Sequence, residues 1–200
     1  MVNQPRDMAY VIRQILKMSG ESRGQLSGLV NPREIGVAGQ SDGGDTVAAL
    51  AANTCCADHR VTAAVVLAGA EWAPMPGRYF ARATPPMLFA QGSADTCNPP
   101  EASEELYQAD TTGRRYYLDL IGANHFTPYE GKGPPEPVVA RVTTDFLNRY
   151  LAGQHGAGPA MWHDGDAAGV AKLTSGSAPP RSPGKAGNLA DGCAGGPVNR

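Results

Sequence analysis

Gly39-Gln40-Ser41-Asp42-Gly43 is a G-x-S-x-G pentapeptide with serine at its centre. A short apolar, β-leaning run, Ile35 to Ala38, leads into it, and a small-residue segment of helical pattern, Asp45 to Asn53, follows. Strand, sharp turn and helix place the serine at an apex. Such a turn brings backbones too close for a Cβ, which accounts for glycine two residues before and two after the serine. A serine hydroxyl is a poor nucleophile at neutral pH and needs an imidazole to take its proton. A carboxylate must then hold that imidazole in the useful tautomer and stabilise it once charged.

In open parallel sheets these partners belong at the carboxyl ends of strands. Gln91-Gly92-Ser93-Ala94-Asp95 follows the strand candidate Met87 to Ala90, and Ile121-Gly122-Ala123-Asn124-His125-Phe126 follows Arg115 to Leu120. The resulting order, Ser41, Asp95, His125, is the serine–acid–histidine order of α/β-hydrolases. Glu71, beyond the run Ala63 to Ala68, is the rival position for the acid. His59, in a turn before a strand, and His155 and His163, near the carboxyl terminus, are weaker candidates for the base. Asp42 and Asp45 fall in the first turn of the elbow helix, where their ordinary role is to complement the helix dipole. Trp72, just past the Ala63–Ala68 run, either walls a substrate pocket or packs as a core tryptophan.

The elements that must position these groups alternate. Residues 6 to 18 carry Met8, Val11, Ile12, Ile15 and Leu16 at helical spacing. Ala63 to Ala68 is a continuous apolar run, as in a parallel strand buried on both faces. Met87 to Ala90 and Arg115 to Leu120 are further strands, Pro100 to Asp110 a helix between them, and Glu136 to Leu151 a final helix. Strands alternating with helices indicate an α/β domain with a mostly parallel sheet. From Gly153 to Arg200 the chain turns to Gly, Ala, Pro and Ser, and the expectation there is a largely disordered tail.

Two hundred residues suit one domain, here residues 1–152 followed by the 153–200 tail. A net charge of −2 and a pI near 6.1 argue against nucleic acid or an anionic membrane surface as the main partner. No apolar stretch approaches the roughly 20 residues of a membrane helix. The amino terminus lacks the apolar core of a secretory signal, so nothing there points to export. The four cysteines lack zinc-finger spacing. Adjacent Cys55 and Cys56 and isolated Cys97 and Cys193 read as buried or free thiols, with one disulfide an open alternative.

The run Pro86 to Pro128, with P-M-L-F-A-Q-G-S-A-D and then R-Y-Y-L-D-L-I-G-A-N-H-F-T-P, resembles bacterial cutinase-like and polyester hydrolases. The wider group includes dienelactone-hydrolase-like and chlorophyllase-like enzymes of the same fold, and the similarity extends over about residues 5 to 151. The resemblance implies hydrolysis of a small-molecule or lipid-like carboxylic ester, with no metal or organic cofactor, through an acyl-enzyme on Ser41. Carried over residue by residue, it supports Ser41, Asp95 and His125, with the Asp42 backbone amide as one oxyanion donor. It further implies a secreted full-length form, and that the chain is amino-terminally truncated, the carboxyl-terminal part of an α/β-hydrolase fold. On that expectation the strands before the Ile35–Ala38 strand and the loop carrying a second oxyanion donor have no counterpart here. A weakly active or inactive remnant serving as a binding module is then the alternative function, and an acyltransferase or peptidase on the same triad a third.

Overall fold

The computed structural model describes residues 2–111, 114–131 and 133–176. Four strands, β1 (Ile35–Gln40), β2 (Val61–Leu67), β3 (Met87–Gly92) and β4 (Arg115–Leu120), lie side by side and parallel in sequence order. Helices α1 (Gln4–Gly20), α2 (Asp42–Ala52), α3 (Pro100–Ala109) and α4 (Pro135–Tyr150) are interspersed with them, β2 and β3 being joined without an intervening helix. The sequence expectation of a mostly parallel α/β sheet therefore holds, with element ends moved by a few residues.

Side-chain alternation along the strands divides the core between the two faces of the sheet. Ala63, Val65, Leu88, Ala90, Leu118 and Leu120 pack beneath Val138, Val142 and Phe146 of α4. Ala64, Val66, Met87, Phe89 and Tyr117 face the other way, toward Val47 and Ala48 of α2 and Leu106 and Tyr107 of α3. With both faces covered, β2 and β3 need apolar residues at consecutive positions, which is why they read as unbroken apolar runs.

Helix α1 packs Ile12 against Leu50 of α2 and Val61 of β2. Met8, Val11 and Ile15 of the same helix are exposed. With Val37 of β1 and Val47 of α2 they line a groove of about 650 Å³. Among the described strands β1 is an edge, bonded only to β2. No helix among the described residues is long and apolar enough to cross a membrane.

The expected tail beginning at Gly153 is corrected as far as residue 176. Helix α5 (Ala157–Gly165) packs on α4, and β5 (Asp166–Ala167) and β6 (Ala171–Ser175) extend the sheet, β6 running antiparallel to β4. Met161 and Leu173 are buried in the same cluster as Phe146. Small residues are what permit this packing: a Cβ on Gly165 would lie 2.6 Å from that of Leu173. Residues 177–200 of the expected tail lie outside the described residues. The thiol expectation is corrected too, because Cys55 and Cys56 form a disulfide with each other, Cys97 is also disulfide-bonded, and no described cysteine is free.

The docking of α5 has a direct thermodynamic consequence. Met161→Ala should cost about 2–5 kcal/mol and lower the melting temperature by roughly 5–15 °C, measured by calorimetry. A change of less than a degree would show that α5 adds nothing to the core.

Candidate active site

Ser41 is the residue between β1 and α2, with φ 56° and ψ −125°. Few non-glycine residues adopt that conformation, and here it is held from both sides. The Ser41 amide donates to the Leu67 carbonyl at the end of β2, and the Ser41 carbonyl accepts the first helical bond from Asp45. The expected backbone crowding is present, though differently placed. A Cβ on Gly39 would lie 2.2 Å from the Gly43 carbonyl oxygen, whereas one on Gly43 would meet open space. The second crowded glycine is Gly44, where an added Cβ would lie 3.0 Å from Gly69 Cα. The sequence expectation for Gly43 is thus corrected: the α2 backbone turns its next residue toward the β2 exit.

His125 lies on the loop after β4, with both ring nitrogens engaged. Its Nε2 is 2.8 Å from Ser41 Oγ and its Nδ1 2.8 Å from Asp95 Oδ2. With the proton on Nδ1 donated to Asp95, Nε2 accepts from the serine hydroxyl. Phe126 stands edge-on to the imidazole at 4.8 Å. Gln40, the unspecified residue before the serine, donates from Nε2 to the His125 backbone carbonyl at 3.1 Å. Asn124 Oδ1 accepts from the amides of Phe126 and Thr127 and from the Thr127 hydroxyl, closing the loop on itself.

Asp95 follows β3 and is 4% exposed, and His125 is 2% exposed. Asp95 Oδ1 accepts the Cys97 and Asn98 amides, and Oδ2 accepts Gln91 Nε2 as well as His125. A buried carboxylate so surrounded has its lone pairs satisfied in the charged form.

The structure brings Ser41, His125 and Asp95 into one hydrogen-bonded row and leaves the rivals aside. Glu71 is exposed on the loop after β2, while the Nδ1 partner of His125 is Asp95. His59 and His155 are exposed, and His163 pairs with Asp164 on α5. Trp72 is half-buried on the β2 exit loop. Asp42 opens α2, so its backbone amide is one of the free amides of the first turn. Among the described residues the one cluster of three possible metal ligands is Asp95, Cys97 and His125. The Cys97 sulfur is committed to a disulfide and both His125 nitrogens to Asp95 and Ser41, so the donor set does not suit a cation. Sequence reasoning missed Gln40 and Gln91. A glutamine inside a strand carries no spacing signal, although Asn124 two residues before Phe126 is a recognisable Asx turn.

Asp45 behaves differently from Asp95. It is 2% exposed, and its Oδ1 accepts the Ala70 amide at 2.7 Å. Burial pushes its carboxyl up from the ordinary 3.8 to about 6, opposed by that amide and reinforced by Asp42, with His125 lowering it slightly.

A family profile described as PET hydrolase-like matches residues 3–156, and the chain belongs to that family. No curated protein matches it.

Because the folded state raises the Asp45 value, Asp45 contributes its full stability below about pH 4 and loses it as pH rises toward about 6. Asp45→Asn keeps an oxygen acceptor for Ala70 and removes the titration. Denaturant midpoints measured across that window should fall more with rising pH in the wild type than in Asp45→Asn. Parallel curves would show that Asp45 does not titrate there.

Proposed function

We propose that this PET hydrolase-like chain is a serine esterase that cleaves carboxylic esters through a covalent acyl-enzyme on Ser41. The observation that carries this reading is the row Ser41 Oγ, His125 Nε2, His125 Nδ1 and Asp95 Oδ2, joined by two 2.8 Å contacts at the carboxyl edge of the sheet. In the first half-reaction His125 Nε2 takes the serine proton as Oγ attacks the ester carbonyl carbon. The carbonyl electron pair moves onto oxygen, where the Asp42 amide donates to it at the positive end of α2. As the tetrahedral intermediate collapses, His125 returns the proton to the departing alkoxide. In the second half-reaction His125 deprotonates a water that attacks the acyl-enzyme, and the proton goes back to Ser41. Asp95 stays charged throughout, stabilising the imidazolium and fixing its tautomer.

Trp72 follows β2, whose Leu67 carbonyl binds the Ser41 amide, so its loop leaves the sheet beside the nucleophile. Its ring offers an apolar, stacking surface for the acyl or alcohol part of an ester, including the aromatic ring of a polyester.

A p-nitrophenyl ester of a short acid should be hydrolysed, and a fluorophosphonate probe should label Ser41. Ser41→Ala should abolish labelling, and Asp95→Asn should lower kcat by roughly 10⁴-fold. A folded chain that neither hydrolyses the ester nor takes the label at Ser41 would leave the binding-module alternative in its place.

A further inference from the structure

Three consecutive residues at the β2 exit are each held by a side chain from another element. Asn98 Nδ2 donates to the Ala68 carbonyl at 2.6 Å, the Ser103 hydroxyl lies 2.7 Å from the Gly69 carbonyl, and Asp45 accepts the Ala70 amide. Ala68 has φ 48°, a backbone conformation that needs such support. The loop they fix leads straight to Glu71 and Trp72.

Ser103, on α3, and Gln91, at the end of β3, are both 0% exposed, and their side-chain oxygens are 2.7 Å apart. The orientation of the Gln91 amide follows from its surroundings. Its Nε2 faces three acceptors, Asp95 Oδ2 at 2.9 Å, the Asn98 carbonyl at 3.0 Å and the Gly92 carbonyl at 3.2 Å. An oxygen there would meet only oxygens, so nitrogen must point to Asp95 and Oε1 to Ser103. The single Ser103 proton is then shared between Gln91 Oε1 and the Gly69 carbonyl. A continuous buried path therefore runs from Gly69 through Ser103 and Gln91 to the oxygen of Asp95 that holds His125.

We propose that Gln91 and Ser103 are positioning residues for ester cleavage, tying the Asp95 carboxylate to the loop before Trp72 so that acid and substrate wall keep one geometry. The proposal rests on the serine esterase reading for its effect on rate, but not for its effect on His125. Buried polar networks of this kind act as a unit, so breaking either link releases the same constraint.

The test is a cycle of Gln91→Met, which keeps length but removes the donor, and Ser103→Ala, the milder change. Each should lower kcat/KM for a p-nitrophenyl ester on the order of tenfold, and the double variant should be no worse than the weaker single. The proton on His125 Nδ1 is followed by NMR in the same proteins, with melting temperatures alongside. Its downfield resonance should move in Ser103→Ala, although Ser103 is bonded to Gly69 and Gln91 rather than to Asp95 or His125. An unmoved resonance in Ser103→Ala, or single-variant losses that multiply in the double, would overturn the proposal, as would lower melting temperatures with unchanged kinetics. If the wild type hydrolyses no ester, the esterase reading fails alone, and the resonance still decides whether the path to His125 exists.

Discussion

Ser41 and His125 are 84 residues apart in sequence and leave the sheet from β1 and β4. Three strand spacings separate those exits, roughly 14 Å at the usual interval between neighbours. The 2.8 Å contact between them therefore depends on four strands paired in one register and on a loop that doubles back across two of them. The close approach is visible at Gly92, where a Cβ would come within 2.4 Å of the Ala123 carbonyl oxygen. The loop after β4 lies directly on the end of β3, and Gln40 catches its far end at the His125 carbonyl. Parallel pairing and backbone contact, rather than any one side chain, bring the row together.

The same edge of the sheet buries two aspartates in contrasting ways. Four donors converge on Asp95: two backbone amides, the Gln91 amide and the imidazole. Asp45 leans on the Ala70 amide, with Asp42 close by, and burial drives its carboxyl toward the neutral form. The difference comes from backbone geometry. The turn after β3 points successive amides at Asp95, while Asp45 sits inside the first turn of α2 and reaches outward to a neighbouring loop.

Much of this arrangement could be read in the residues. Ser41 is flagged by glycines and by the strand and helix that flank it, and Asp95 and His125 by their places just past the strands Met87–Ala90 and Arg115–Leu120. What could not be read is packing built from small residues. Ala157, Gly158, Gly165 and Ala171 look like the composition of a disordered tail, yet small side chains let α5 and β6 approach α4 and β4 closely. Likewise the crowded glycine after the serine is Gly44 and not Gly43, because the crowding depends on Gly69, on the loop after β2. The residues left one disulfide open, and the Cys55–Cys56 pairing is settled only by the fold.

Ser41 follows directly on an edge strand of the described sheet. Among the described strands β1 is bonded to β2 alone, and Gly36 and Ala38 along it are exposed. Edge segments open locally at lower free energy than the central strands, whose release requires the whole core to part. A brief detachment of β1 would carry Ser41 away from His125 while leaving β2, β3 and β4 paired and the bulk of the helices in place. On the proposed esterase mechanism, heat inactivation and loss of secondary structure would then be separate events. Catalytic turnover would sense a fraying equilibrium at the sheet margin that circular dichroism averages away.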